Sequence, residues 1–276
     1  MLLGVHCSIK GGLHNAFHEA ESLGIDTFQV FTKNQRQWKE KIIDTEEKSG
    51  FLNTYKTSRV KMIFSHASYL INLASNDDTL WECSVKALIG EVQRCHDLGL
   101  DFTILHPGSA KELGEQKGIK KIITALKTTL HATENSTVKI LLENTAGQGS
   151  SIGYRFEHLK QIMDGVASSR IGMCFDTCHA FVAGYDIRTK GGFEGTMEEL
   201  DNTIGLKNLR TIHLNGSKGE LGSNLDRHEH IGKGKLGLEP FRQIINRFTH
   251  IPKVIETPKK DNMDAVNLEV LRGLIQ

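Results

Sequence analysis

One alternation constrains this chain more than anything else in it. Eight short runs rich in β-branched and aromatic residues are each followed by a stretch with 3.6-residue apolar periodicity, the mark of βα units and a parallel sheet. The runs are LLGVHC (2–7), TFQVFT (27–32), KMIFSH (61–66), FTILHP (102–107), KILLEN (139–144), IGMCFD (171–176), LRTIHL (209–214) and KVIETP (253–258). Eight such units in 276 residues match the usual size of a closed (βα)8 barrel. The expected fold is therefore α/β, a TIM barrel, with residues 1–276 forming one domain. The crossovers have readable ends. Leu13, Phe17, Ala20 and Leu23 share one helix face, with Gly24 as the stop. Val85, Leu88, Ile89 and Val92 precede Gly99; Ile119, Ile122, Ile123 and Leu126 follow Gly118; Phe241, Ile244, Ile245 and Phe248 follow Pro240, a good first-turn residue. No duplicated block is visible, which argues against a solenoid. The Gly- and Lys-rich segment 216–237 is the main irregular insertion, and an insertion of that length usually serves function.

Composition closes off other classes. With 38% hydrophobic and 24% charged residues and only four prolines, the chain has an ordinary globular balance and no low-complexity arm. The apolar start of MLLGVHCSIKGG is too short for a signal peptide, and no uncharged run reaches membrane-spanning length. Cys7, Cys83, Cys95, Cys174 and Cys178 make an odd count without paired spacing, unlike a secreted disulfide framework. A cytoplasmic chain with reduced thiols, no membrane partner and a monomeric state is expected. The net charge of +1 gives no global attraction to a polyanion, so any nucleic-acid binding must come from local charge.

The metal-capable side chains fall where a barrel would use them. The third run ends in His66, the fourth in His106, the fifth in Glu143, the sixth in Asp176 with His179 just beyond, the seventh in His213 and the eighth in Glu256, while Asp226 and His228 lie in the following loop region of the seventh. The C-terminal ends of barrel strands converge on one face, so five histidines and four carboxylates reach one bowl. A lone histidine after an apolar run is more often a hydrogen-bonded residue than a ligand. Glu143 and Glu256 are harder to explain that way, because a carboxylate continuing a buried apolar run is costly unless paired or metal-bound. Six consecutive strand ends carrying His, Asp or Glu form the signal. Mixed imidazole and carboxylate donors favour zinc, with manganese or iron as substitutes, and nine donors exceed what one tetrahedral ion needs but suit three sharing a bridging carboxylate. Three dications against four carboxylates would leave the bowl at about +2, a focused phosphate site on a nearly neutral protein. His6, ending the first run, stands between supporting the cluster and simple core packing. His14, His18, His96, His131, His158, His230 and His250 are expected in surface roles, and Cys174 in a packed layer.

The motifs HASYLINL (66–73), LHPGS (105–109), LLENTAGQG (141–149), FDTCHAFVAGYD (175–186), HLNGSK (213–218), DRHEHIG (226–232) and IETP (255–258) together resemble the endonuclease IV family of abasic-site endonucleases. The resemblance runs from GVHCSIKGG at 4–12 to the last strand. It implies hydrolysis of the phosphodiester 5′ to an abasic site in double-stranded DNA, leaving a 3′-hydroxyl. It places one zinc on His66, His106 and Glu143, a second on Glu143, Asp176, His213 and Glu256, and a third on His179, Asp226 and His228, with Glu143 and Glu256 as the catalytic carboxylates. The implied chemistry is in-line attack by water activated at the first two ions, with the third neutralising phosphate and leaving-oxygen charge. The DNA-contacting residues implied are Arg36 and Gln37 in FTKNQRQW (31–38) and Tyr69 and Leu70 in HASYL, entering the minor groove beside an extruded nucleotide. Read without the resemblance, Tyr69 and Leu70 look like core packing under a loop. Lys33, Arg36, Lys39, Lys218, Arg227, Lys233 and Lys235 fall on loops of the same face, placed for phosphate contacts. One departure stands at 215–216, where this chain has Asn-Gly and the family commonly Asn-Asp, which puts local loop shape and the support of His213 in question.

Two other readings compete. Sugar isomerases and epimerases of related barrel architecture place His, Asp and Glu at the same strand ends, but need one or two ions and have little use for His179, Asp226 and His228. A non-catalytic lesion-binding or metal-storage protein would have no need of both Glu143 and Glu256.

Overall fold

The computed structural model describes residues 1–276. Eight parallel strands close into a barrel: β1 (Leu3–His6), β2 (Thr27–Val30), β3 (Met62–His66), β4 (Phe102–Leu105), β5 (Lys139–Glu143), β6 (Ile171–Asp176), β7 (Leu209–His213) and β8 (Lys253–Ile255), each paired with its sequence neighbours and β1 with β8. The chain is thus a TIM barrel, and all eight expected strands are present. Nine helices connect and cover them: α1 (Asn15–Leu23), α2 (Thr45–Thr57), α3 (Asp78–Asp97), α4 (Glu115–Ala132), α5 (Phe156–Val166), α6 (Thr177–Ala183), α7 (Lys190–Thr203), α8 (Glu239–Arg247) and α9 (Met263–Arg272). No helix is long and apolar enough to cross a membrane.

The two-residue period of the strands delivers the polar residues to the bowl. Phe64, Phe102, Ile104, Leu141, Cys174 and Val254 form their own buried cluster, apart from the larger core between strands and helices. Two residues beyond Phe64, Ile104, Leu141, Cys174 and Val254 stand His66, His106, Glu143, Asp176 and Glu256, and residues two apart share a face of a strand. The apolar cluster is therefore the floor, and the donors form the next layer toward the C-terminal rim.

The helix ends follow the expected chemistry in most places. Gly24 closes α1 at φ 61°, and Pro240 lies in the first turn of α8. Gly118 differs from expectation: it lies inside α4, not before it. A Cβ at this position would stand 2.6 Å from Ile152 Cδ1 and 2.8 Å from Ala110 Cβ, so the glycine serves close packing of the ribbon that pairs Gly108–Ser109 with Ser151–Ile152. His158 also departs from its expected surface role. It is fully buried, with Nδ1 facing the Gly153 amide and Nε2 the Arg155 guanidinium. The insertion 216–237 is held by a second antiparallel ribbon, Gly216–Ser217 with His228–Glu229.

Candidate metal centre

The nine strand-end and loop residues converge into three adjoining groups. His66, His106 and Glu143 form one, Glu143, Asp176, His213 and Glu256 a second, and His179, Asp226 and His228 a third; within each, one donor atom per residue lies within 4.8 Å of the others. Glu143, fully buried at the end of β5, joins the first two by dividing its oxygens. Oε2 is 3.1 Å from Nε2 of both His66 and His106, whereas Oε1 is 3.0 Å from His213 Nδ1. One oxygen facing each group is the geometry of a bridging carboxylate.

Four of the histidines are anchored on one ring nitrogen and aim the other into the cluster. His66 Nδ1 faces the Ala67 carbonyl at 2.8 Å, His179 Nδ1 the Asn144 carbonyl at 3.0 Å, His213 Nε2 the Gln29 Oε1 at 2.8 Å and His228 Nδ1 the Glu256 carbonyl at 3.3 Å. A ring nitrogen whose proton is committed to a fixed acceptor leaves its partner nitrogen with a free lone pair, as metal-ligating imidazoles require. The Nε2 atoms of His179 and His228 are buried and both face Asp226 Oδ1, at 3.2 and 3.6 Å, without a well-aligned hydrogen bond. A buried polar atom without a well-aligned partner is expensive unless something fills its direction, so these two atoms fit a cation between them and Asp226.

Side chains around the cluster hold it in place. The Gln29 amide donates to Glu256 Oε1 at 2.6 Å and lies 2.8 Å from His6 Nδ1, while Asn215 donates to Asp176 Oδ2 at 2.6 Å and to Glu256 Oε2 at 3.3 Å. His6 thus supports the cluster and is not merely core packing. Asn144 accepts from the Asp176 amide at 2.8 Å and donates to its carbonyl at 3.0 Å. Sequence reasoning missed Gln29, Asn144 and Asn215, although a glutamine inside the apolar run TFQVFT was a legible signal.

The electrostatics call for positive charge. Burial pushes the Glu143 carboxyl up, but His213, His106 and His179 outweigh it and hold the group well below the usual carboxylate range. Glu256 behaves alike, burial being overcome by His213 and His6. Asp226 is lowered to about 2, against its burial, by His179 and His228. In turn His179 and His213 are raised well above the ordinary imidazole value against burial, by Asp176 and Asp226 for the first and by the carboxylates of Glu256 and Glu143 for the second. Burial pushes the Cys174 and Cys178 thiols up to about 12.

Around the rim, Arg36 and Gln37 are exposed on the loop after β2, and Tyr69 is 64% exposed, its ring 5.8 Å from that of His66. Packing under a loop therefore does not describe Tyr69; Leu70 is half-buried. Lys39, Lys218, Arg227, Lys233 and Lys235 are exposed, whereas Lys33 is 5% exposed, its ammonium satisfied within its own loop. Lys33 is unavailable to phosphate, contrary to expectation.

A family model described as xylose isomerase-like TIM barrel matches residues 17–274. The chain is 46% identical over 280 residues to the "Probable endonuclease 4" of Citrifermentans bemidjiense, covering 100% of this chain and 99% of that one. It is 40% identical to that of Aquifex aeolicus, at 100% and 98% coverage. The crystal structure of endonuclease IV from Thermus thermophilus superposes with a TM-score of 0.89 at 33% identity, covering 99% and 98% of the two chains. This chain belongs to the endonuclease IV family. With that family it is a metal-dependent nuclease. A D-tagatose 3-epimerase-like protein, at TM-score 0.78 and 20% identity over 99% of this chain and 97% of that one, shares the fold.

Proposed function

We propose that this endonuclease IV relative hydrolyses the phosphodiester 5′ to an abasic site in duplex DNA, leaving a 3′-hydroxyl, at a centre of three zinc ions. His66, His106 and Glu143 would hold the first ion, Glu143, Asp176, His213 and Glu256 the second, and His179, Asp226 and His228 the third. The division of the Glu143 oxygens between two groups carries this reading, because it would give two ions a common carboxylate beside the adjoining trio. When bound, such ions supply Lewis acidity toward phosphate oxygens and lower the pKa of water. The chain's own contribution is orientation. Glu143 and Glu256 stay ionised, fixed by His213, Gln29 and Asn215, and are placed to orient a water for in-line attack. Arg36, Gln37, Tyr69 and Leu70 would fill the gap left by the extruded sugar, and Lys39, Lys218, Arg227 and Lys233 would take backbone phosphates.

The epimerase reading has no use for the trio His179, Asp226 and His228, and its support is a likeness of fold alone. Incision of a duplex carrying one abasic site, followed by polymerase extension of the product without further processing, tests the proposal. Cleavage that leaves a blocked 3′ end, or equal cleavage of undamaged duplex, would overturn it.

A further inference from the structure

The loop between β2 and α2 sits on a charge cluster, buried except for the half-buried Glu40, that the metal centre does not use. The Lys33 ammonium donates to the carbonyls of Gln37, Trp38 and Lys39 at 3.2, 3.3 and 3.3 Å and to Glu40 Oε1 at 2.9 Å. The other Glu40 oxygen meets Arg94 of α3, whose guanidinium also donates to Glu91 Oε2 and Thr32 Oγ1, both at 2.8 Å. Two cations and two carboxylates cancel, and buried ions persist when paired and hydrogen-bonded in this way. Gly90 makes the room. A Cβ there would stand 2.6 Å from Glu40 Oε2 and 3.2 Å from Arg94 Nη1. Glycine inside a helix is unfavourable in itself, and in α3 its bare face is the seat of the loop's carboxylate. The chain wraps around Lys33 so that Arg36 and Gln37 are left outward. Ser68 adds a cross-tie, donating to the Gln35 carbonyl at 2.7 Å and accepting from the Leu70 amide at 3.2 Å.

We propose that Gly90, Arg94, Glu40 and Lys33 are positioning residues for lesion discrimination, holding the 31–40 loop from α3 in the shape that presents Arg36 and Gln37 to DNA. This rests on the reading of that loop as the lesion-contacting element. A preformed loop avoids an ordering cost at binding. That gain falls on contacts requiring one loop shape, whereas phosphate contacts elsewhere on the face carry no information about the lesion.

The experiment compares Gly90→Ala, Glu40→Gln and Arg36→Ala with the wild-type holoenzyme. It reads the ratio of affinities for abasic and undamaged duplex at fixed salt, tryptic cleavage at Arg36 and Lys39, bound zinc and melting temperature. Gly90→Ala introduces a better helix former, so the fold is retained while the added Cβ displaces Glu40. Expected for Gly90→Ala and Glu40→Gln are faster nicking of the loop and a discrimination ratio lowered about tenfold, with zinc content and turnover on saturating DNA unchanged. If both keep the wild-type ratio while Arg36→Ala lowers it, the cluster serves packing only and the proposal is overturned. If Arg36→Ala itself discriminates as the wild type does, the lesion-contact reading of the loop falls, and the proposal with it.

Discussion

Glu256 sits just past the end of β8 with each carboxylate oxygen already engaged, Oε1 by Gln29 at 2.6 Å and Oε2 by Asn215 at 3.3 Å and His213 at 3.2 Å. Glu256→Gln keeps the shape but replaces one oxygen with an amide that must face a donor, so the side chain loses both its charge and one of its anchors. Incision should fall by several orders of magnitude, about the scale seen when a transition-state electrostatic element is removed, while DNA affinity changes far less. Single-turnover incision beside a binding titration checks this, and near wild-type cleavage would remove Glu256 from the catalytic set. The positions of Glu256, His66, His106, Glu143, Asp176 and His213 were legible because a carboxylate or imidazole continuing an apolar strand faces the barrel interior at the period of two, whereas His179, Asp226 and His228 lie in α6 and the long insertion and were grouped as a trio only through the family's motifs. Lys33 was misread for a related reason. A lysine in a loop reads as solvent-exposed, and nothing local to FTKNQRQW reveals that Glu40 and the distant Arg94 close a neutral cluster over it.

Among the connecting elements, the ribbon of Gly216–Ser217 with His228–Glu229 does the most for the site, because it brings His228 back from a long insertion to face Asp226 at 3.6 Å. The Asn-Gly at 215–216 now has a physical account. A Cβ at Gly216 would stand 2.5 Å from the His230 carbonyl oxygen and 2.7 Å from that of Glu229, so the ribbon lies too close for a side chain. The consequence falls on His228, not on His213, whose ring is fixed by Gln29 and Glu143. Gly216→Ala should therefore spread the ribbon, withdraw His228 and weaken retention of the proposed third ion, with overpacking costing about 1–3 kcal/mol of stability. Metal analysis after dialysis, set beside a denaturant titration, measures both effects. Full metal content with an unchanged midpoint would show that the ribbon adapts. Glycines such as 90, 118 and 216 were opaque in sequence because their reason is the approach of a distant segment, whereas Gly24 was readable because its role, a left-handed helix stop, is local.

For the whole molecule, the metal centre concentrates what the net charge of +1 hides. Four carboxylates gather in one bowl, with Glu143, Glu256 and Asp226 held below the usual carboxylate range and His179 and His213 raised against burial by their acidic neighbours. The donors come from β3, β5, β6 and β7, from the residues just past β4 and β8, from α6 and from the 216–237 insertion. Bound ions would therefore cross-link most of the barrel rim, and groups that bind the native state but not the unfolded chain stabilise it by mass action. Protein purified without added metal should retain about three transition-metal ions, mainly zinc, since each group offers three or four preorganised His and carboxylate donors, as zinc sites take from protein. Chelator in excess should act slowly, removing activity and lowering the melting temperature together, and zinc should restore both. Elemental analysis at each stage, with the abasic-duplex assay run in parallel, gives the stoichiometry at which activity disappears. One ion or fewer in fully active protein, with magnesium alone sufficient for incision, would sink the three-ion reading while leaving the barrel and its family untouched.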